Sequence, residues 1–427
     1  MRKSRDRQGS GLRHEPGRLL NQAALLIPFV VLVGLLQGCI SNKLYNPLPE
    51  QYVLELTQPT DETVGIDIAV IEFDEFGMLW APDQLQAALD LIHERNAASE
   101  RGIIVVTYTH GWMNNANPDR EDNDLTQFQT GMRSLGSELR AEGAPAPDHV
   151  VGIYLGWRGA TNRIPLLSTL SFWNRKDAAE RVASYQMRET LFRVTATAKM
   201  RPDSKVLLSG HSMGGMILAR TLAPMLSTLL LASGPDGVRA PADMVVLQNP
   251  ALDGLAAFQL IEYLKRTGAR LEHRHSDGRV EPAQGPVIAS ITSEADWVTG
   301  LAYPAGQIVD NLTRSFRDDL GAQIPSQGKL ANRAHGHMDF LVSHRARMHE
   351  GRVVIEPVPG AYNDTPFWII QTTKEICRDH GDIYNERFLK LVEQVTKLNR
   401  LYETDLQTWI AQTHPLTTLH AGPRTEP

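Results

Sequence analysis

Short apolar runs alternate with amphipathic segments along most of the chain, and this alternation is the feature that most restricts its fold. Residues 103–108 form an unbroken run rich in β-branched residues, which is typical of a strand buried on both faces. Residues 82–97 place Leu85, Leu89 and Ile92 on one face of a helix. Strands that alternate with helices in this way predict a mostly parallel central sheet with helices on both faces.

The same pattern extends to both sides of these two elements. Strands are predicted at residues 66–73, 150–156, 205–209, 244–248, 287–292 and 367–372, and helices at residues 178–198, 214–231 and 384–400. Residues 158–177 and 313–362 do not fit the alternation, so we expect them to be insertions above the sheet. Because no long polar linker interrupts residues 63–400, they are predicted to form one domain, with a tail at 401–427.

Composition excludes several classes of protein. The chain has 43 Lys and Arg and 49 Asp and Glu, a net charge of −6, so it lacks the basic surface that a nucleic-acid partner requires. Its 42% hydrophobic and 22% charged residues are typical of a folded globular protein. Two cysteines exclude a scaffold held by several disulfides.

The N-terminus has the pattern of a targeting segment. Residues 1–22 are basic, and residues 23–36 form an apolar run that is short for a membrane span, since a bilayer core requires about 20 residues of helix. Residues 36–39 read Leu-Gln-Gly-Cys and resemble the lipobox of bacterial lipoproteins. The resemblance implies a signal peptide at 1–38 and a lipid anchor on Cys39.

Residues 39–62 would then form a polar tether to the domain. The alternative for the N-terminus is an uncleaved membrane anchor. Both interpretations place the domain outside the cytoplasm, facing the periplasm or the exterior, and a lipoprotein would be sorted to the outer membrane of a Gram-negative cell. With Cys39 acylated, Cys377 has no disulfide partner and is predicted to be a packing residue.

A glycine-rich turn joins the strand 205–209 to the helix 214–231, and it reads Gly210-His211-Ser212-Met213-Gly214. A serine on such a strained turn projects its hydroxyl above the sheet. Small residues at Gly210 and Gly214 allow neighbouring backbone to pass close by, and the helix N-terminus favours developing negative charge. Ser212 is therefore a candidate nucleophile; the alternative is a tightly packed turn without catalysis.

This turn resembles the nucleophile elbow of the serine α/β-hydrolases, the superfamily of lipases, esterases and thioesterases. The resemblance implies an α/β-hydrolase fold with lid-like insertions and a triad in the order serine, acid, histidine. Residues 109–112, Thr-His-Gly-Trp, follow the strand 103–108 and resemble the superfamily's oxyanion loop. By that match the main-chain N–H groups of Trp112 and Met213 form the oxyanion hole, where losing one donor costs about 2.7–4 kcal/mol.

Asp296, in the turn after the strand 287–292, is the preferred acid, because it follows a strand beyond the elbow. The alternative is Asp253, which follows the strand 244–248. Either residue would serve equally well as a helix cap or turn residue.

His380 is the preferred base, because it lies between the last predicted strand and the last predicted helix. His337 is the alternative. The spacing of His335, His337 and Asp339 resembles a ligand cluster only superficially, so we expect no metal and no cofactor. Arg158 and Arg175 are interpreted as ion-pairing residues that hold an insertion, or alternatively as groups that bind an acidic part of a substrate.

Together these features predict a membrane-tethered serine esterase or lipase, whose apolar residues 160–173 contribute to a lid or an acyl pocket. The expected substrate is a small-molecule or lipid ester. Thioesterases, amidases and peptidases use the same machinery, so the fold does not decide between them. Two alternative hypotheses involve no catalysis. One is a surface-anchored binding protein of the same fold, and the other is an interaction module whose residues 313–362 bind a partner.

Overall fold

The computed structural model describes residues 42–60, 63–119, 124–141, 147–161, 171–232, 238–239, 242–267, 271–274, 280–282, 286–321 and 323–398. Its strands are β1 (Val53–Thr57), β2 (Gly65–Glu72), β3 (Ile103–Thr109), β4 (His149–Gly156), β5 (Lys205–His211), β6 (Val238–Arg239), β7 (Met244–Gln248), β8 (Leu271–Arg274), β9 (Val280–Pro282), β10 (Ile288–Ser293), β11 (His344–His349), β12 (Arg352–Pro357) and β13 (Phe367–Thr372). Its helices are α1 (Pro82–Ala98), α2 (Asp124–Ala141), α3 (Phe172–Val182), α4 (Tyr185–Ala198), α5 (Met213–Ala232), α6 (Gly254–Thr267), α7 (Tyr303–Asp310), α8 (Gln327–Ala331) and α9 (Glu386–Leu398).

Ten strands form one sheet in the order β1-β2-β4-β3-β5-β7-β10-β13-β11-β12. All neighbours from β2 to β11 are parallel, and only β1 and β12, at the two edges, pair antiparallel. Strands β6, β8 and β9 form a separate small sheet. The mostly parallel sheet, covered by helices, confirms the predicted α/β-hydrolase-like fold.

Two apolar layers cover the sheet, one on each face. The first layer packs α1 and α3 to α6 against the sheet, and the second packs α2 and α9 against the other face. Helix α9 shows how the sequence produces this arrangement: Phe388, Leu391 and Val395 recur at helical spacing and are all buried. The interior strands are buried along their whole length, as their β-branched runs predicted.

The predicted polar tether, residues 39–62, is corrected by the structure. Residues 53–57 of that segment form strand β1, which pairs with β2. Upstream, the buried Asn46 side chain donates to Glu72 Oε1 at 2.9 Å and to the Ala116 carbonyl at 2.9 Å. The segment from about Asn46 onward is therefore part of the folded domain, and it looked like a linker because it is polar and no residue of this edge strand is fully buried.

The two predicted insertions are also corrected. Helix α3 lies partly within residues 158–177, and the single helix predicted at 178–198 is divided between α3 and α4 by a break at Ala183 and Ser184. Strands β11 and β12 lie within residues 313–362 and extend the sheet. Residues 162–170 of the first insertion lie outside the described residues, as do the predicted signal peptide, Cys39 and the tail 401–427. In the part of the chain that the structure describes, no helix has both the length and the apolarity needed to cross a bilayer.

Candidate active site

The predicted site residues converge at one edge of the sheet. Strands β3, β5, β7, β10 and β13 are consecutive neighbours and parallel, so their carboxyl ends lie side by side. The loops that leave these ends carry the residues of interest: Gly111 and Trp112 after β3, Ser212 after β5, Asn249 after β7, Asp296 after β10 and His380 after β13. Ligands of open α/β sheets bind at this carboxyl edge.

The turn between β5 and α5 has the strained geometry that its sequence predicted. Ser212 has a φ angle of 55°, in the left-handed region that non-glycine residues rarely adopt. A Cβ atom at Gly214 would lie 2.0 Å from the Thr109 carbonyl oxygen, and one at Gly210 would lie 2.7 Å from the Gly214 carbonyl oxygen. Only glycine therefore fits at either position. The Ser212 amide donates to the Gln248 carbonyl at 2.9 Å, which fixes the turn to β7.

Ser212, His380 and Asp296 form a chain of hydrogen bonds. The Ser212 hydroxyl lies 2.7 Å from His380 Nε2, and His380 Nδ1 lies 2.8 Å from Asp296 Oδ2. Because an ionised carboxylate can only accept, Nδ1 carries the proton and Nε2 accepts from the serine. The Asp296 side chain is fully buried and that of His380 is 15% exposed, so the histidine lies at the solvent boundary.

The turn after β10 supplies donors to the Asp296 carboxylate. Oδ1 accepts from the amides of Val298 and Thr299 at 2.9 and 3.1 Å, and Oδ2 accepts from the Thr299 hydroxyl as well as from His380. Burial raises the pKa of Asp296, but the bonds from His380 and Thr299 outweigh it and hold the pKa below its usual value. The group is therefore a carboxylate that accepts at both oxygens.

Two residues that the sequence analysis did not select hold the His380 loop in place. The His380 carbonyl accepts from His211 Nε2 and from Asn249 Nδ2, each at 2.9 Å. Asn249 Oδ1 also accepts from the Ser293 amide at 2.9 Å, so one side chain ties the loops after β7, β10 and β13 together. Burial lowers the pKa of His211 to about 4, which keeps the ring neutral. A polar residue directly after the apolar strand β7 was the available sequence signal for Asn249.

The loop after β3 lies directly against Ser212. A Cβ atom at Gly111 would be 2.9 Å from Ser212 Cβ. The Trp112 amide donates to no group among the described residues, and the Met213 amide opens α5, where the first N–H groups lack intrahelical acceptors. The His110 ring is occupied structurally, since it contacts the Gly111 carbonyl at 2.9 Å and accepts from the Trp157 amide at 3.0 Å.

The alternative acid and base do not contact Ser212 or His380. Asp253 accepts from the Ala256 amide at 2.8 Å at the start of α6, which is the bonding of a helix cap. His337 Nε2 lies 2.9 Å from the Thr299 hydroxyl, so it is separated from Asp296 by one side chain.

The histidine-rich turn at residues 335–339 does not have the bonding of a metal site. His335 Nδ1 lies 3.0 Å from the Leu252 carbonyl and Nε2 lies 2.6 Å from the Ser290 hydroxyl, so both ring nitrogens are occupied within the protein. Burial lowers the pKa of His335 to about 4. The described part of the chain contains no group of three or more His, Cys, Asp or Glu residues arranged to hold a metal ion.

Arg158 and Arg175 share one carboxylate. Their guanidinium groups lie 2.6 and 2.7 Å from Glu75 Oε1, and the Arg175 side chain is 3% exposed. Burial raises the pKa of Glu75, but the two arginines outweigh it and lower the pKa. These contacts agree with the interpretation that the arginines fix the start of α3. Cys377 is buried as a packing residue, and burial raises its pKa to about 11.

No family model and no curated protein matches the chain. Among solved structures, it is similar to a phospholipase, PlaB from Legionella pneumophila in complex with thio-NAD, with 12% sequence identity and a TM-score of 0.25. The match covers 70% of this chain and 62% of the phospholipase chain, so it spans less than two thirds of the phospholipase. A likeness with so low a sequence identity and TM-score supports no assignment of function.

Proposed function

We propose that this protein is a serine hydrolase that cleaves carboxylic esters through an acyl-enzyme intermediate. The observation that carries the proposal is the hydrogen-bonded chain from Ser212 through His380 to Asp296. A nucleophile bonded to a base, which is itself oriented by a buried acid, is the arrangement that activates a serine hydroxyl.

The mechanism follows from which atoms hold protons. His380 Nε2 takes the Ser212 proton as the serine oxygen attacks the ester carbonyl, and the imidazolium then donates that proton to the leaving alcohol. Asp296 holds the ring in the required tautomer and stabilises its charged form. The amides of Trp112 and Met213 are the proposed oxyanion donors. Water, deprotonated by His380, then attacks the acyl carbon; the bond to the Ser212 oxygen breaks as that oxygen takes the proton from His380, and the acid is released.

Exposed apolar side chains that follow Asp296 in the sequence favour substrates with an aliphatic or aromatic part. The segment directly after Asp296 exposes several large apolar side chains, which are Trp297, Leu301, Ile308, Val309 and Leu312. Such clusters mark contact sites for apolar ligands. A Cβ atom at Gly306 in α7 would overlap the Trp173 ring, so the end of the predicted lid, residues 160–173, lies against the same segment. We expect p-nitrophenyl esters of medium chain length to be hydrolysed faster than the acetate ester or the matching anilides.

Labelling with a fluorophosphonate probe tests the proposal. Wild-type protein should be labelled at Ser212, and Ser212→Ala should abolish both labelling and ester hydrolysis. Ser209→Ala is the matched control, because it removes another buried hydroxyl from β5 and should leave labelling intact. A folded wild-type protein that neither reacts nor hydrolyses would instead support a binding protein of the same fold.

We further propose that Cys39 carries a lipid anchor that holds the domain at the outer surface of a membrane. The support is the basic segment, the short apolar run and the Leu-Gln-Gly-Cys sequence that ends it. Stable attachment by acyl chains requires more than one chain. Radiolabelled fatty acid should be incorporated into the wild-type protein and not into Cys39→Ser; equal incorporation into both would contradict the proposal.

A further inference from the structure

A second pair of side chains continues the hydrogen-bonded chain beyond Asp296. The Thr299 hydroxyl bonds to Asp296 Oδ2, the same oxygen that accepts from His380. The Thr299 oxygen also lies 2.9 Å from His337 Nε2. The order of contacts is therefore His337, Thr299, Asp296, His380 and Ser212.

The number of available protons determines the direction of these bonds. Thr299 has one hydroxyl proton, and the Asp296 carboxylate can only accept. The hydroxyl therefore donates to Asp296 and accepts from His337, which must carry a proton on Nε2. Burial lowers the pKa of His337, which favours the neutral ring with this single proton.

The surrounding turns hold the His337 ring in position. A Cβ atom at Gly300 would lie 3.2 Å from His337 Cε1, so the absence of a side chain there leaves room for the ring. The turn His335–His337 is itself anchored, because His335 bonds to the Leu252 carbonyl and to the Ser290 hydroxyl. His337 is thus presented to Thr299 by a fixed backbone.

We propose that Thr299 and His337 are positioning residues, with His337 acting through the Thr299 hydroxyl to orient the Asp296 carboxylate toward His380. The amides of the turn constrain Oδ1, whereas the hydroxyl constrains Oδ2, so both carboxylate oxygens are directed. This inference rests on the proposed function, because it assigns a role in the same triad. It also gives a role to His337, the alternative base, whose ring contacts Thr299 rather than Ser212.

Steady-state kinetics on an ester that the wild type hydrolyses tests whether His337 acts through Thr299. Thr299→Val should lower kcat about tenfold with KM changed by less than about twofold, since a bond to a charged group is lost away from the substrate. His337→Ala should lower kcat about fivefold, and His337→Gln, which retains an amide donor, should recover most of that loss.

If His337 acts only through Thr299, the Thr299→Val/His337→Ala double variant is no slower than Thr299→Val. Additive losses would overturn the inference.

Thr292→Val provides the matched control. It exchanges the same hydroxyl for a methyl group at a buried threonine beside the same histidine turn, and the Thr292 hydroxyl has no hydrogen-bond partner among the described residues. We expect wild-type kcat from this variant. A loss equal to that of Thr299→Val would assign the effect to packing and contradict the positioning role.

Proton NMR separates failure of this inference from failure of the proposed function. The His380 Nδ1 proton should give a downfield resonance that is absent from Asp296→Ala, and it should shift in Thr299→Val and in His337→Ala but not in Thr292→Val. This readout needs no substrate. If the wild type neither hydrolyses esters nor reacts with fluorophosphonate, the proposed function fails while the resonance still tests the positioning. An unchanged resonance in both variants overturns the inference alone.

Discussion

Gly214, in the turn that carries Ser212, cannot be replaced by another residue without moving backbone. A Cβ atom at Gly214 would lie 2.0 Å from the Thr109 carbonyl oxygen, and backbone oxygen cannot rotate away as a flexible side chain can. We predict that Gly214→Ala lowers the free energy of unfolding by about 1–3 kcal/mol and abolishes labelling of Ser212. Urea unfolding and fluorophosphonate labelling measure the two effects.

Gly131→Ala is the control for that change. Apart from its chain neighbours and the backbone of its own helix, no atom of the described residues lies within 4 Å of a Cβ at Gly131, which is in the interior of α2. The same substitution there should raise the free energy of unfolding by about 0.5–1 kcal/mol, because alanine favours the helix. Equal destabilisation of the two variants would contradict the steric argument.

Single residues differed in how far the sequence could identify them. Ser212, Asp296 and His380 each follow a predicted strand, and the structure brings them within hydrogen-bond distance because parallel strands end at one edge. Asn249 and Thr299 were not selected. The role of Asn249 depends on a bond to the His380 carbonyl, 131 positions away, and that of Thr299 on the turn conformation that brings its hydroxyl to the Asp296 carboxylate.

Among the elements, α3 is held to the rest of the domain by a carboxylate shared between two arginines. Glu75 lies beyond β2, and Arg175, within α3, has a side chain that is only 3% exposed. We predict that Glu75→Ala lowers the free energy of unfolding by about 3 kcal/mol, because it leaves a buried guanidinium without its counter-ion. Urea unfolding measures the change.

Glu94→Ala is the matched control, since Glu94 pairs with Arg95 but its side chain is 69% exposed. The expected loss there is less than about 1 kcal/mol. A similar loss from Glu75→Ala and Glu94→Ala would show that the arginines do not depend on Glu75.

The burial of charge also explains which elements the sequence analysis misplaced. Helix α3 contains Arg175 and Lys176, which are buried, so its helical pattern was recognised only from residue 178 and its first turns were assigned to an insertion. Strand β11 reads His-Arg-Ala-Arg-Met-His and has few buried residues, because it lies near the edge of the sheet. The fully buried strands β3 and β4 were predicted almost to their ends, since burial on both faces requires continuous apolar runs.

At the scale of the whole molecule, buried neutral histidines link stability to pH. His335 has a pKa of about 4 in the folded protein because of burial, against an ordinary value of 6.5. Between these values the unfolded chain binds more protons, so stability falls as the pH is lowered from about 6.5 to 4. We predict that His335 alone accounts for a loss of roughly 3 kcal/mol over that range, measured by urea unfolding at a series of pH values.

His335→Gln should flatten this dependence while lowering stability at pH 7, because the bonds to Leu252 and Ser290 are weakened. His349→Gln replaces an exposed histidine and should keep the wild-type slope. An unchanged slope in His335→Gln would contradict the assignment to that residue.

The contact between Ser212 and His380 joins residues that are 168 positions apart in the chain. The ribosome synthesises Ser212 long before His380, and the neighbouring strands β7, β10 and β13 must be added to the sheet in between. In an incomplete nascent chain, the Ser212 hydroxyl therefore has no histidine to accept its proton. Under the proposed function, hydrolytic capacity therefore arises only near the end of synthesis and folding.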